Sequence, residues 1–203
     1  MPAPYSAVVF DMDGTLVTPT IDFKGLRSRL GIPEGESILD WILAQPQREQ
    51  TKLSRTLAEV EHEAAGRTEL LPGARKTLDW LSERSIRYGV LTRNSRSVWG
   101  IVSRRCGLED VLHVVTRDDG LAKPDPLCLE PFLKQWNCFP DRMIHVGDYR
   151  YDLELARETG MYSILLHESG QNPFPVSCDF VARSHKELLE HFLTMSFQGA
   201  SSV

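Results

Sequence analysis

Short apolar runs alternate with longer amphipathic stretches along most of the chain. Five runs are short enough to be buried strands and are bounded by Gly, Asp or Thr: Ala7–Phe10, Ile86–Leu91, Leu112–Thr116, Met143–Val146 and Met161–Leu166. Between them, apolar residues at helical spacing predict helices over 74–84, 95–106, 127–136 and 151–159. Strands and helices that alternate in this way form right-handed crossovers and a parallel sheet covered on both faces. The sequence therefore predicts an α/β fold with a doubly wound parallel sheet.

One long stretch after the first strand breaks this alternation, because it contains helical patterns but no strand pattern. Helices are predicted near 22–30, 36–43 and 47–65. Pro19 and Pro72 supply turn residues where the chain would leave and rejoin the sheet. We therefore expect residues 1–18 and 72–203 to form the α/β core, and residues 19–71 to form a small helical cap inserted after the first strand.

Polar side chains follow the predicted strands at their carboxyl ends, where open α/β sheets bind their ligands. They are Asp11 and Asp13 after the first strand, Thr92 after the second, Lys123 before the helix that follows the third, and Asp148 and Asp152 after the fourth. Four carboxylates gathered in one place repel each other unless a cation sits among them. Oxygen ligands without His or Cys select a hard cation, and Mg²⁺ is favoured where phosphate supplies further oxygens. The pattern predicts a magnesium site suited to phosphoryl transfer.

Four segments of the predicted core resemble, in order, the four motifs of a known family. They are Asp11-Met12-Asp13-Gly14-Thr15-Leu16-Val17, Leu91-Thr92-Arg93-Asn94, Ala122-Lys123-Pro124-Asp125-Pro126 and Val146-Gly147-Asp148-Tyr149-Arg150-Tyr151-Asp152. The family is the haloacid dehalogenase superfamily, and the closest resemblance is to its phosphatases of the phosphoglycolate-phosphatase-like type. The resemblance spans the chain from Val8 to about Gly160 and implies a Rossmann-like core and a phosphoric monoester hydrolase.

The resemblance also implies roles for the motif residues. Asp11 would be the nucleophile that forms an aspartyl-phosphate, and Asp13 would be the general acid and base. The remaining catalytic residues would be Thr92 and Lys123. The substrate-binding set would be Thr92, Arg93, Asn94 and Lys123. The Mg²⁺ set would be Asp11, Asp13, Asp148 and Asp152, with Asp13 acting through its backbone carbonyl, Asp148 as a direct ligand, and Asp152 through water or by holding the ligands in place.

Some alternatives stay open at the level of sequence. Many relatives carry Asn directly after the second-motif Thr, so Arg93 is either a substrate contact or a solvent-facing side chain. Cap residues Lys24, Arg27 and Arg48 either reach an anionic substrate or remain on a solvated helix face. A phosphomutase, or a regulator that binds a phosphorylated ligand without turnover, is the alternative to a phosphatase. Dehalogenases lack a carboxylate at the position of Asp13, which favours phosphoryl chemistry.

Composition and charge narrow the expected partners. The formal net charge of -5 and the pI near 5.7 argue against a broad surface for nucleic acid or anionic membrane. No segment approaches the ~20 apolar residues of a membrane helix, and the first residues lack the basic region of a signal peptide. The four cysteines form no CxxC pair, so we expect neither a metal framework nor a disulfide scaffold. A reducing cytoplasm is the expected location. We expect a small phosphorylated metabolite as partner; the oligomeric state stays open, with a monomer favoured.

Overall fold

The computed structural model describes residues 4–33 and 35–199, and its centre is a six-stranded parallel sheet. The strands are β1 (Ala7–Phe10), β2 (Arg87–Leu91), β3 (Val114–Val115), β4 (Met143–Gly147), β5 (Tyr162–Leu166) and β6 (Phe180–Ala182). They lie in the order β3-β2-β1-β4-β5-β6, and every neighbouring pair is parallel. The helices are α1 (Phe23–Leu30), α2 (Ile38–Leu43), α3 (Gln47–Ala65), α4 (Ala74–Glu83), α5 (Arg96–Cys106), α6 (Glu130–Trp136), α7 (Arg150–Thr159) and α8 (His185–Phe192).

Helices cover both faces of the sheet, and alternating side chains of β1 pack against different helices on the two faces. Val8 and Phe10 point to one face and pack in a cluster with residues of α4, α5 and α8. Ala7 and Val9 point to the other face and pack with residues of α6 and α7. All four side chains are fully buried, as expected for a strand in the middle of a parallel sheet. The predicted α/β fold with a doubly wound parallel sheet is confirmed.

Three elements, namely β3, β6 and α8, differ from the sequence prediction. The third strand has two residues instead of the predicted five, because the chain at Leu112 lies at the surface with this side chain 83% exposed. A sixth strand, β6, and the following α8 were not predicted. The sixth strand has only three residues and follows a loop that carries no strand pattern.

The three helices α1, α2 and α3 lie between β1 and α4 and share an apolar cluster of their own. Its buried members are Leu26, Ile32, Ile38, Ile42 and Leu57. The two ends of this helical insert pair with each other: Thr18 N donates to Glu69 O over 2.8 Å, and Leu71 N donates to Leu16 O over 2.9 Å. We call this paired segment the neck. The division into a core and a cap at residues 19–71 stays a prediction.

None of the helices within residues 4–33 and 35–199 combines the length and the apolar composition needed to cross a bilayer. The cytoplasmic location stays a prediction.

Candidate active site

The first motif forms a tight loop at the carboxyl end of β1. Asp11 N donates to Val146 O of β4 over 2.8 Å, which fixes Asp11 beside the end of that neighbouring strand. Gly14 has φ +74°, and a Cβ at this position would lie 2.0 Å from Asp148 Oδ2. Glycine is therefore required here for two reasons, namely the left-handed backbone and the close approach of the Asp148 carboxylate.

Lys123 lies between two carboxylates in the interior of the site. Its Nζ donates to Asp11 Oδ1 over 2.5 Å and to Asp152 Oδ1 over 2.7 Å. The side chain of Lys123 is 2% exposed. Burial lowers the pKa of Lys123, but the two neighbouring carboxylates outweigh burial and hold this pKa above its ordinary value. The ammonium therefore stays charged beside Asp11.

Asp152 is held by three donors that come from three segments of the chain. Its Oδ1 accepts from Lys123 Nζ and, over 2.9 Å, from His145 Nε2 of β4. Its Oδ2 accepts from the backbone N of Tyr149 over 3.1 Å. Burial raises the pKa of Asp152, yet Lys123 and His145 outweigh it and place the pKa below its ordinary value. Asp152 is therefore an ionised carboxylate with both oxygens engaged.

Asp11, Asp148 and Asp152 form the acidic cluster of the site. One carboxylate oxygen from each lies within 4.8 Å of the others. Burial, followed by the charges of Asp11 and Asp152, raises the pKa of Asp148 to about 8. Burial also raises the pKa of Asp11, against the opposing effect of Lys123. Such crowding of all-oxygen donors is relieved by a hard divalent cation, so these residues fit Mg²⁺.

The side chain of Asp13 lies outside this cluster and has its own partner. Asn94 Nδ2 donates to Asp13 Oδ2 over 2.5 Å, and the backbone N of Asn94 donates to the buried Thr92 Oγ1 over 3.1 Å. Burial, followed by the charge of Asp11, raises the pKa of Asp13 to about 7. A carboxyl with a pKa in this range can both give and take a proton near neutral pH.

Arg93 is half-buried and connects the core to the insert. Its guanidinium donates to the backbone oxygen of Lys123 and, over 2.8 Å, to Ser37 Oγ of the insert. It also lies over the ring of Tyr151, 4.4 Å from the ring centre. From the sequence, Arg93 was either a substrate contact or a solvent-facing side chain. Its contacts with Lys123, Ser37 and Tyr151 are not those of a solvent-facing side chain.

A pocket of about 380 Å³ lies between the motif residues and the insert. All eight predicted site residues line it: Asp11, Asp13, Thr92, Arg93, Asn94, Lys123, Asp148 and Asp152. Among the three cap cations, Arg27 lines the pocket, whereas Lys24 and Arg48 are exposed and do not line it.

Two residues near the site were not singled out from the sequence. Glu61 of α3 lines the pocket and is 5% exposed, and its carboxylate accepts two hydrogen bonds from Arg117. His145 of β4 contacts Asp152. A Glu on a charged helix carries no distinguishing signal, but a His inside an otherwise apolar strand is a polar residue at a core position and could have been noticed.

The comparisons with known proteins agree with this fold and these motifs. The model of the haloacid dehalogenase-like hydrolase family matches residues 18–166, which include the second, third and fourth motifs and begin shortly after the first. A haloacid dehalogenase-like hydrolase domain-containing protein of Arabidopsis thaliana is 29% identical over 177 residues, which cover 81% of this chain and 71% of the relative. A phosphorylated carbohydrates phosphatase of Thermotoga maritima is 27% identical over 179 residues, covering 78% and 83%.

One further related sequence and one crystal structure also match the chain. A phosphoglycolate phosphatase of Nitrosococcus oceani is 24% identical over 185 residues, covering 78% of this chain and 82% of the relative. The crystal structure of a hydrolase from Pseudomonas syringae has a TM-score of 0.79 at 22% identity, covering 94% of this chain and 99% of that one. Fold and family match together define the chain as a hydrolase. It belongs to the haloacid dehalogenase-like hydrolase family, which confirms the resemblance to that family.

Proposed function

We propose that the protein is a Mg²⁺-dependent phosphatase that hydrolyses a small phosphomonoester through an aspartyl-phosphate on Asp11. The observation that carries this proposal is the position of Lys123 Nζ, which bridges Asp11 and Asp152 beside the carboxylate of Asp148. A cation that neutralises the nucleophile and faces the transferred phosphoryl group is what phosphoryl transfer requires.

The reaction would proceed in two displacements at phosphorus. In the first, an Asp11 oxygen bonds to phosphorus, the bond to the leaving oxygen breaks, and Asp13 gives its proton to that oxygen. In the second, Asp13 takes a proton from water, the water oxygen bonds to phosphorus, and Asp11 is released. The pKa of about 7 suits Asp13 to both steps, and general acid–base catalysis of this kind contributes about 10²–10⁴-fold.

The other residues would bind and orient the phosphoryl group. Thr92 would donate its hydroxyl to a phosphoryl oxygen, and Lys123 would hold Asp11 ionised. Arg93 and Asn94 would contact the substrate, with Asn94 also holding Asp13. Asp11, Asp148, the backbone carbonyl of Asp13 and, through water, Asp152 would hold Mg²⁺, which would neutralise charge on the phosphoryl oxygens when bound.

A small substrate suits the pocket, because about 380 Å³ lies near the lower end of the range for small-molecule sites. Phosphoglycolate and sugar phosphates are the candidates, since relatives carry the names phosphoglycolate phosphatase and phosphorylated carbohydrates phosphatase.

The test is release of inorganic phosphate from a panel of phosphorylated metabolites by the purified protein with Mg²⁺. We expect turnover of at least one compound, silencing by EDTA, restoration by Mg²⁺, and loss of about 10³-fold or more in Asp11→Asn with the fold retained. Asp141→Asn, an exposed carboxylate away from the site, is the matched control. Substantial turnover by Asp11→Asn would overturn the assignment of the nucleophile.

The same panel separates the alternatives. A phosphomutase would return the phosphoryl group to its substrate, so steady release of phosphate counts against it. Binding of one panel member without any turnover would instead support a non-catalytic regulator.

A further inference from the structure

His145 is a polar residue in the middle of the apolar sheet. It lies on β4, between β1 and β5, and is 1% exposed. Its Nε2 lies 2.9 Å from Asp152 Oδ1, whereas its Nδ1 is buried and has no hydrogen-bond partner among the described residues. An unpartnered buried polar atom destabilises a folded protein, so packing alone does not account for a histidine here.

The contact with Asp152 fixes which ring nitrogen carries the proton. An ionised carboxylate can only accept a hydrogen bond, so Nε2 of His145 must donate to it. In the neutral ring, Nδ1 is then the bare nitrogen, which is the atom without a partner. The unpartnered Nδ1 therefore costs stability, and the same ring orientation lets Nε2 donate a hydrogen bond to Asp152.

That hydrogen bond is the first link of a chain that ends at Asp11. Asp152 Oδ1 accepts from both His145 Nε2 and Lys123 Nζ, and Lys123 Nζ also donates to Asp11 Oδ1. The three links measure 2.9, 2.7 and 2.5 Å. Three of these four residues lie below 4% exposure and Asp11 at 9%, so water competes little for the bonds.

We propose that His145 is a positioning residue, which holds Asp152 in the orientation that keeps Lys123 against Asp11. The inference rests on the proposed function, in which Asp11 is the nucleophile. Without the bond from His145, the Asp152 carboxylate keeps one donor fewer on Oδ1 and can rotate away from Lys123. Lys123 would follow Asp152 and leave Asp11 less well oriented.

Three substitutions separate this role from packing. Glutamine carries its amide nitrogen the same number of bonds from Cα as Nε2, so His145→Gln keeps a donor for Asp152. Asparagine is one bond shorter, so His145→Asn is a polar control without the donor in place. His145→Met removes the polar group and keeps an apolar side chain of similar length.

The measurements are kcat and KM for hydrolysis of p-nitrophenyl phosphate with Mg²⁺, together with the melting temperature of each protein. We expect His145→Gln to keep kcat within about threefold of the wild type, and His145→Asn and His145→Met to lose about 10–100-fold in kcat. KM should change little in all three, because His145 touches no substrate. Wild-type kcat in His145→Met, or equal losses in all three variants, would overturn the proposal.

A second measurement needs no variant. Nitrogen-15 NMR of the labelled wild-type protein reports which ring nitrogen of each histidine carries a proton. We expect a proton on Nε2 of His145, and a neutral ring protonated only on Nδ1 would overturn the inference. Failure of the proposed function has a different signature, since the wild type itself would then not turn over any phosphomonoester.

Discussion

Glu61 of α3 and Arg117, which follows β3, form a two-pronged ion pair in which each carboxylate oxygen accepts from one guanidinium nitrogen over 2.6 Å. The side chains of Glu61 and Arg117 are 6% and 18% exposed. Arg117 also donates to the backbone oxygen of Arg93 over 3.2 Å, so the pair joins the insert to the segment that carries the second motif.

Removing one partner of this ion pair should destabilise the protein more than replacing both partners. Glu61→Gln leaves the partly buried Arg117 charge without its partner, and we expect a loss of about 3 kcal/mol in the free energy of unfolding. The double variant Glu61→Met with Arg117→Met leaves no buried charge unpaired and should recover most of that loss. Urea unfolding of Glu61→Met, of Arg117→Met and of the double variant gives the comparison. Losses that simply add in the double variant would contradict the prediction.

Mg²⁺ should stabilise the folded protein through the acidic cluster. At about 100 times its dissociation constant, a ligand adds about 2.7 kcal/mol, which for a chain of this size raises the melting temperature by about 5–10 °C. Asp148→Asn should lose most of this shift because it removes one of the three clustered carboxylates. Thermal unfolding with Mg²⁺ and with EDTA measures it, with Asp141→Asn as the control. A full shift in Asp148→Asn would rule Asp148 out as a ligand.

Gly14 should tolerate no side chain, even a methyl group. In Gly14→Ala the new Cβ would lie 2.0 Å from Asp148 Oδ2, in addition to the strain of φ +74°. The matched control is Gly107→Ala, where φ is +64° and nothing lies within 4 Å of the new Cβ. We expect the control to lose about 1 kcal/mol of stability and to keep its Mg²⁺ shift, and Gly14→Ala to lose more stability and the shift. Equal behaviour of the two variants would argue against the close approach.

His185 should make stability fall in mild acid. Its Nε2 donates to Thr15 O over 2.6 Å, its Nδ1 lies 3.1 Å from Thr77 Oγ1, and burial lowers its pKa below 6.5. As the pH falls through 6.5 the unfolded chain takes up the proton first, so the free energy of unfolding decreases, by at most about 1.4 kcal/mol per pH unit for one group. Denaturant unfolding between pH 7.5 and 5 should show a shallower decrease in His185→Gln. The same change in the free energy of unfolding with pH in both proteins would contradict the prediction.

The sequence predicted those parts of the fold that strong local patterns encode. β1 and α3 have the predicted boundaries because each has a continuous pattern and clear turn residues at both ends. β6 was missed because its three residues are too short for any period to appear, and its pairing with β5 supplies the regularity that the local sequence lacks.

The site, like the fold, could be predicted from the sequence only in part. Asp11, Lys123 and Asp148 could be placed together because parallel strands bring their carboxyl ends to one edge of the sheet. The hydrogen bond of Asn94 to Asp13 and that of His145 to Asp152 depend on side-chain directions after each strand, which no spacing in the sequence specifies. The contact of Arg93 with Ser37 depends on how the insert lies over the core, so only the three-dimensional structure reveals it.

The neck has a consequence for how such a chain can change over evolution. Because Thr18 and Leu16 pair directly with Glu69 and Leu71, the segment between them leaves the core and returns to it at nearly one point. Exchange of the segment for a longer, shorter or unrelated one need not move β1 or the residues after it. The segment and the motif residues can therefore diversify at different rates within one gene, and a laboratory graft across positions 18 and 69 would follow the same route.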